Sequence, residues 1–181
     1  MTTSKPQEIF LYKEKINSIT FDFIFFTVIF SVLSYITILL IYSYYTSAIM
    51  PVNKVYLAGL FILLTAFTGL FINFKTLSIK LTNSYLKAGF GLISIKIKPE
   101  QILEANVYHY KFRQFFGWGV RYDLFNHILA FNLPEDNYQG ILIIYTRKEK
   151  VQKLFLSSRS PDYFLERLKI AIPELEISEK N

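Results

Sequence analysis

Two stretches of this chain carry no charged side chain: Phe23–Asn53, 31 residues, and Val55–Phe74, 20 residues, with Lys54 alone between them. A helix crossing hydrocarbon needs about 20 predominantly apolar residues at 1.5 Å rise each. The second stretch has that length, and the first has it with a short loop to spare. The pattern predicts an integral membrane protein anchored by a two-helix transmembrane hairpin over 21–75. A polar leader of 22 residues precedes the first apolar run, which is longer than the core of a cleaved signal, and a second span follows at once. Ser47-Ala48 mimics a cleavage site, but the lengths favour an uncleaved anchor.

Orientation follows from lysines. The leader, 1–20, holds Lys5, Lys13 and Lys15, and the segment after the second stretch holds Lys75, Lys80, Lys87, Lys96 and Lys98 with no acid before Glu100. The connecting loop has only Lys54 and a helix-stopping Pro51. The positive-inside rule then places both termini in the cytoplasm, in a multi-pass protein of the cell (inner) membrane. Tyr42, Tyr44, Tyr45 and Tyr56 fall where the outer interface is expected, and Phe21, Phe23, Phe71 and Phe74 near the inner one. Thr27, Ser31 and Ser34 share one helical face, and Thr65 and Gly69 lie one turn apart in the second span. Such small residues are expected to pack the two spans together, with a solute path or oligomer seam as the alternative. Neither stretch holds an ionisable group, which argues against a pump or transporter. In the leader, Ile9, Tyr12, Ile16 and Ile19 leave an interfacial helix, a strand and an irregular lead-in equally open.

After Phe74 the apolar period changes to two. Leu77, Ile79 and Leu81 alternate with Ser78, Lys80 and Thr82, and Ile93, Ile95 and Ile97 alternate with Ser94, Lys96 and Lys98. Strands are predicted there, at Tyr85–Gly89 after an Asn83-Ser84 turn, and over Ile102–Tyr108, His127–Leu133, Gly140–Thr146 and Val151–Ser157, about seven in all. Separators are Pro99-Glu100, Phe115–Gly119, Pro134–Asn137 and Arg147–Lys150. Ser160-Pro161-Asp162 then marks a helix start with an N-cap hydroxyl, proline at the first helical position and an acid in the first turn. Phe164, Leu165, Leu168 and Ile172 form its apolar stripe, and Pro173 stops it. The mainly-β domain is thus expected over 76–173, with a polar tail over 174–181. Strands followed by one amphipathic helix predict a curved sheet or barrel with the helix over an open end.

The ordered set resembles a known family: a lysine-rich strand pair, Pro99-Glu100-Gln101-Ile102 entering the fourth strand, Phe116-Gly117-Trp118-Gly119-Val120-Arg121, Gln139-Gly140-Ile141 opening a later strand, and the Ser-Pro-Asp helix start. It is similar to the bacterial pleckstrin-homology-like (PH-like) domain of small membrane-anchored proteins, over about Thr76 to Ile172. The resemblance implies a seven-stranded PH-like barrel capped by a C-terminal α-helix. It implies no activity, because pleckstrin-type barrels serve lipid, peptide and assembly roles.

Candidate contact residues are Trp118, Arg121, Lys80, Lys87, Lys96 and Lys98. The glycines beside Trp118 permit unusual backbone angles, which favours closing a barrel end, with a ligand or partner contact at Trp118 and Arg121 as the alternative. The lysines suit anionic headgroups. Pleckstrin domains that bind phosphoinositides use a basic loop between their first two strands; Asn83-Ser84 is too short for that pocket. Arg147, Lys148, Lys150 and Lys153 read as a solvated hairpin tip. The chain has no cysteine, and His109 and His127 lack metal-ligand spacing. No Gly-x-Ser-x-Gly or phosphate-loop pattern occurs, and the carboxylates are scattered apart from Glu135-Asp136. No cofactor and no nucleic-acid partner is expected. The sequence therefore favours a non-enzymatic interaction or scaffolding module at the cytoplasmic face, binding a protein partner or self-associating. The alternative is a sensor of anionic lipid; an enzyme or transport component ranks last.

Overall fold

The computed structural model describes residues 9–46, 54–115, 117–133 and 138–175. The loop with Ser47-Ala48 and Pro51, Phe116, the Glu135-Asp136 turn and the tail past Leu175 lie outside them, as do the side chains of Tyr44, Tyr45 and Tyr56. The chain forms two compact units: a mostly-β unit built from the residues up to Asn17 and from Thr76 onward, and a helical unit over Ser18–Lys75.

The helical unit holds α1 (Ile19–Thr46) and α2 (Lys54–Phe74). Within α1, Ile19–Leu39 is long and apolar enough to cross a membrane; among the described residues the apolar part of α2, Gly59–Phe74, is shorter. The helices meet through aromatic rings. Phe25 stacks on Phe71 with centroids 3.7 Å apart and on Phe67 at 5.6 Å, and Phe21 stacks on Phe71 at 5.2 Å. This corrects the expected small-residue seam. Thr27, Ser31, Thr65 and Gly69 are exposed and only Ser34 of that set is half-buried, and the hydroxyls of Thr27, Ser31 and Thr65 donate to carbonyls one turn back in their own helices (Phe23, Thr27 and Phe61). Lys75 pairs with Asp22 at 3.1 Å, a surface ion pair of small energetic weight.

The mostly-β unit contains two sheets. The first is the antiparallel meander β1 (Phe10–Asn17), β2 (Thr76–Thr82), β3 (Leu86–Phe90) and β4 (Ile93–Ile97). A short 3-10 turn, Pro99–Gln101, leads into the second sheet of β5 (Ile102–His109), β6 (Gly119–Asp123), β7 (Ile128–Asn132), β8 (Gln139–Arg147) and β9 (Lys150–Ser157). Its order is β5-β8-β9-β7-β6, with β7 parallel to β9 and the other pairs antiparallel. A one-turn helix, α3 (Phe112–Phe115), follows β5, and α4 (Pro161–Ala171) closes the domain.

Seven of these nine strands lie where the alternation placed them, and two do not. The leader contributes β1, paired with β2 from Asn17↔Thr76 outward, so the helical unit is inserted between two neighbouring strands of one sheet. The Gly-Trp-Gly segment opens β6. Among the described residues the sheets do not close into a barrel: no ladder joins them, and the β6–β7 hairpin takes the outer edge of β9. The Ser160 hydroxyl also makes no cap hydrogen bond, although α4 starts at Pro161 as expected.

The core lies between the sheets. Ile16, Leu77, Ile79, Leu81, Leu86, Ala88, Phe90, Ile95 and Ile97 of the first face Ala105, Phe131, Ile141, Ile143, Tyr145, Leu154 and Leu156 of the second, with Phe90 and Phe131 rings 6.1 Å apart. Phe164, Leu165 and Leu168 of α4 are buried as well. Glu14 shares the inward-facing side of β1 because it is saturated: it accepts from Tyr12 Oη (2.8 Å), Ser158 Oγ (2.8 Å) and the Arg159 amide (2.9 Å). Burial, opposed by the Ser158 hydrogen bond and reinforced by Glu14, holds the Tyr12 phenol well above its ordinary pKa. The Arg159 guanidinium donates to the Asn17 carbonyl at 3.2 Å, tying the end of β1 to the segment after β9.

Candidate functional site

Side chains alternate across a strand, so burying Leu77, Ile79 and Leu81 sends Ser78 and Lys80 to the other face of the first sheet. The register then does something composition cannot show. Lys13 pairs with Lys80, Lys80 with Lys87, and Lys87 with Lys96. Four lysines from four strands stand directly opposite one another, in a row about 14 Å long at the usual strand spacing of about 4.8 Å. Lys15 and Lys98 extend the same face, and Glu14, the sole acid in the four strands, points to the other side. Lys96 lies over the Tyr85 ring, its Nζ 3.8 Å from the centroid, a cation–π contact.

Such a row runs against sheet stability. Like charges directly opposite each other destabilise a pair, by a few tenths of a kcal/mol each. Lysines at sheet edges commonly discourage edge-to-edge pairing, but that accounts only for β1 and β4. Lys80 and Lys87 sit on the two central strands. The arrangement presents a cationic sheet face whose mutual repulsion an anionic surface would relieve.

Of the sequence-derived residues, the structure brings Lys80, Lys87 and Lys96 together, keeps Lys98 on the same face, and adds Lys13. Lys13 carries no local signal for this row, because its sheet partner lies beyond the whole helical insertion and Glu14 breaks the apolar alternation of β1. Arg121 belongs to β6 of the second sheet, and Trp118 lies in the bend just before that strand. Gly117 and Gly119 take φ of 87° and 95°, and the Gly117 carbonyl accepts from the fully buried Asn132 at 2.6 Å. Asn132 Oδ1 in turn accepts from Ser157 Oγ at 3.1 Å, and Ser157 Oγ accepts from the Leu133 amide at 2.9 Å. Trp118 is half-buried, while Arg121 is exposed opposite Ala130. His109 and His127 flank opposite ends of the second sheet: one ends β5 where it pairs with Gln139, and the other precedes β7, whose Ile128 pairs with Lys153. Among the described residues no three His, Cys, Asp or Glu side chains gather in a metal-binding group.

One feature had no sequence signal beyond its turn chemistry. Between β6 and β7, Leu124 and Phe125 are 74% and 95% exposed. The buried Asp123 holds this tip: Oδ1 accepts from the Phe125 and Asn126 amides at 2.9 and 3.1 Å, and Oδ2 from Asn126 Nδ2 and Gln114 Nε2 at 2.7 and 3.0 Å. Burial works to raise the Asp123 pKa, but these hydrogen bonds outweigh it and hold the carboxyl below the ordinary aspartate value.

No family model, curated protein or solved structure matches this chain.

Proposed function

We propose that this chain is a non-enzymatic, membrane-anchored module of PH-like organisation, with α1 and α2 as an in–out–in hairpin in the cell membrane and both termini cytoplasmic. The outer face of its first sheet rests on anionic headgroups of the cytoplasmic leaflet. The observation that carries this reading is the unbroken row Lys13–Lys80–Lys87–Lys96, which includes central strands where edge protection is not needed. The covalent path supports it, since the chain leaves the sheet at Asn17 for α1 and re-enters it from α2 at Thr76, and these residues pair. Near an anionic leaflet each lysine contributes about 1 kcal/mol, so four supply about three decades of preference for that surface.

The test uses the full chain in nanodiscs, with amine-reactive labelling read lysine by lysine. In discs containing phosphatidylglycerol at low salt, the four row lysines are expected to react several-fold more slowly than in phosphatidylcholine discs. The difference should fade as salt rises, because exposed charges are screened over about 10 Å at 0.1 M. Equal rates in the two lipids would overturn the reading.

A second reading, engagement of a protein segment or another copy of the chain, is favoured by the exposed Leu124-Phe125 tip whose backbone Asp123 hydrogen-bonds. A photocrosslinker at position 125 in native membranes should then capture one defined species; recovery of the chain alone, without crosslinks, removes this reading.

A further inference from the structure

The first sheet ends in two kinds of turn. Asn83-Ser84, joining β2 to β3, is polar, and the Thr82 hydroxyl accepts from the Ser84 and Tyr85 amides at 3.2 and 3.1 Å. At the opposite end, Gly91-Leu92 joins β3 to β4. Gly91 takes φ of 40°, the left-handed conformation that glycine adopts at little cost. This tight turn leaves Leu92 95% exposed and Ile93 44% exposed. A leucine at the apex of a two-residue hairpin stands where asparagine, aspartate or glycine is usual.

Register shows which end this is. Phe90 and Ile93, the residues flanking the turn, pair with each other; Phe90 pairs with Leu77, and Leu77 with Ile16. The next pair along is Asn17↔Thr76, where the chain leaves for α1 and returns from α2. Strands about 4.8 Å apart put the turn within about 15 Å of that exit. Only Ser18 separates β1 from α1, a reach of about 7 Å. The apolar turn is thus at the sheet end from which the apolar helices depart, and the polar turn is at the other.

We propose that Gly91–Leu92 is a membrane wedge, with Leu92 and Ile93 entering the headgroup–acyl boundary of the bilayer that α1 crosses. Together with the two chain crossings it gives the sheet a third point of attachment. This rests on the reading of α1 as membrane-spanning and is independent of the lysine face.

Hydroxyl-radical footprinting of the unaltered full chain in nanodiscs tests it, because Leu92 and Phe125 are both 95% exposed in the protein and serve as matched probes. Leu92 is expected to be oxidised several-fold less in discs than its exposure demands, while Phe125 is oxidised at the rate of an open site. The cysteine-free sequence allows a second measurement with a single fluorophore on Leu92→Cys or Phe125→Cys. Nitroxide lipids labelled near the headgroup should quench the first and spare the second. Full oxidation of Leu92, or quenching equal at the two sites, overturns the wedge. Protection of Leu92 in phosphatidylcholine discs with lysines equally reactive in both lipids keeps the wedge and removes the headgroup reading; protected lysines with a fully oxidised Leu92 do the reverse.

Discussion

The two sheets bury alternating apolar residues in the same central core but differ in what they do with their second face. The first sheet leaves that face to lysines. The second covers it: Phe155, Ala130 and Ile128 on the far side pack with Tyr110 and Phe115 from the segment around α3, with Phe115 and Phe155 centroids 4.9 Å apart. A sheet with both faces buried is a stability element, whereas a sheet with one open face displays chemistry. The contrast predicts that substitutions in the second sheet act on folding and those on the open face of the first act on binding.

The largest effect is expected for Phe155→Ala, which removes a fully buried ring and should cost about 3–5 kcal/mol in denaturant unfolding of the full chain in detergent. A loss below that of a surface substitution would mean that the second face is not a packed core. Next comes Gly140→Ala. A Cβ there would collide with the Leu156 carbonyl and the Phe155 ring, and overpacking of this kind costs about 1–3 kcal/mol; an unchanged midpoint would show that β8 and β9 are looser than described.

Asp123→Asn should cost about 1–2 kcal/mol by removing charge-assisted hydrogen bonds from a buried turn. Its pH dependence has a definite sign. The folded pKa is depressed, so the contribution is complete above the unfolded value near 3.8 and is lost as pH falls through the folded value. Wild type and variant should therefore converge in stability below about pH 4, and a constant gap down to strong acid would contradict the role given to the carboxylate.

The smallest stability effect has the opposite direction. Lys87→Glu replaces two like-charge pairings, with Lys80 and Lys96, by attractive ones and should raise stability by a few tenths of a kcal/mol. The same change should weaken the lipid-dependent protection of Lys80 and Lys96. Stabilisation without that loss would mean the row is a mere solvated surface.

Much of this was legible beforehand because it depends on local periodicity. The apolar runs of α1 and α2 follow from their uninterrupted length, the seven strands from a spacing of 2 within a few neighbouring residues, and the start of α4 from Ser160-Pro161-Asp162. β1 was not legible, since Glu14 occupies an inward position made tolerable only by Tyr12, Ser158 and Arg159, which are remote in sequence or invisible as partners. β6 was hidden by glycines that read as loop; their positive φ values end at Gly119, and the strand starts there. The small-residue seam failed because hydroxyls can bond to their own helix, leaving the large phenylalanines to make the contact. Of the candidate site, the charge of the lysines was plain, but their coincidence in one row was not.

The sequence by itself determined that the chain has a long apolar helix, a mostly-β domain ending in a helix, and a run of lysines without acids. Those properties are sums over local side-chain chemistry. Only the tertiary structure decided that Phe10–Asn17 is a strand, that the helices interrupt a sheet, that the described strands leave the sheets open, and that Lys13, Lys80, Lys87 and Lys96 align. Register is the reason: it is set by core burial between strands distant in the chain, and a slip of one residue would turn every lysine of a strand to the opposite face.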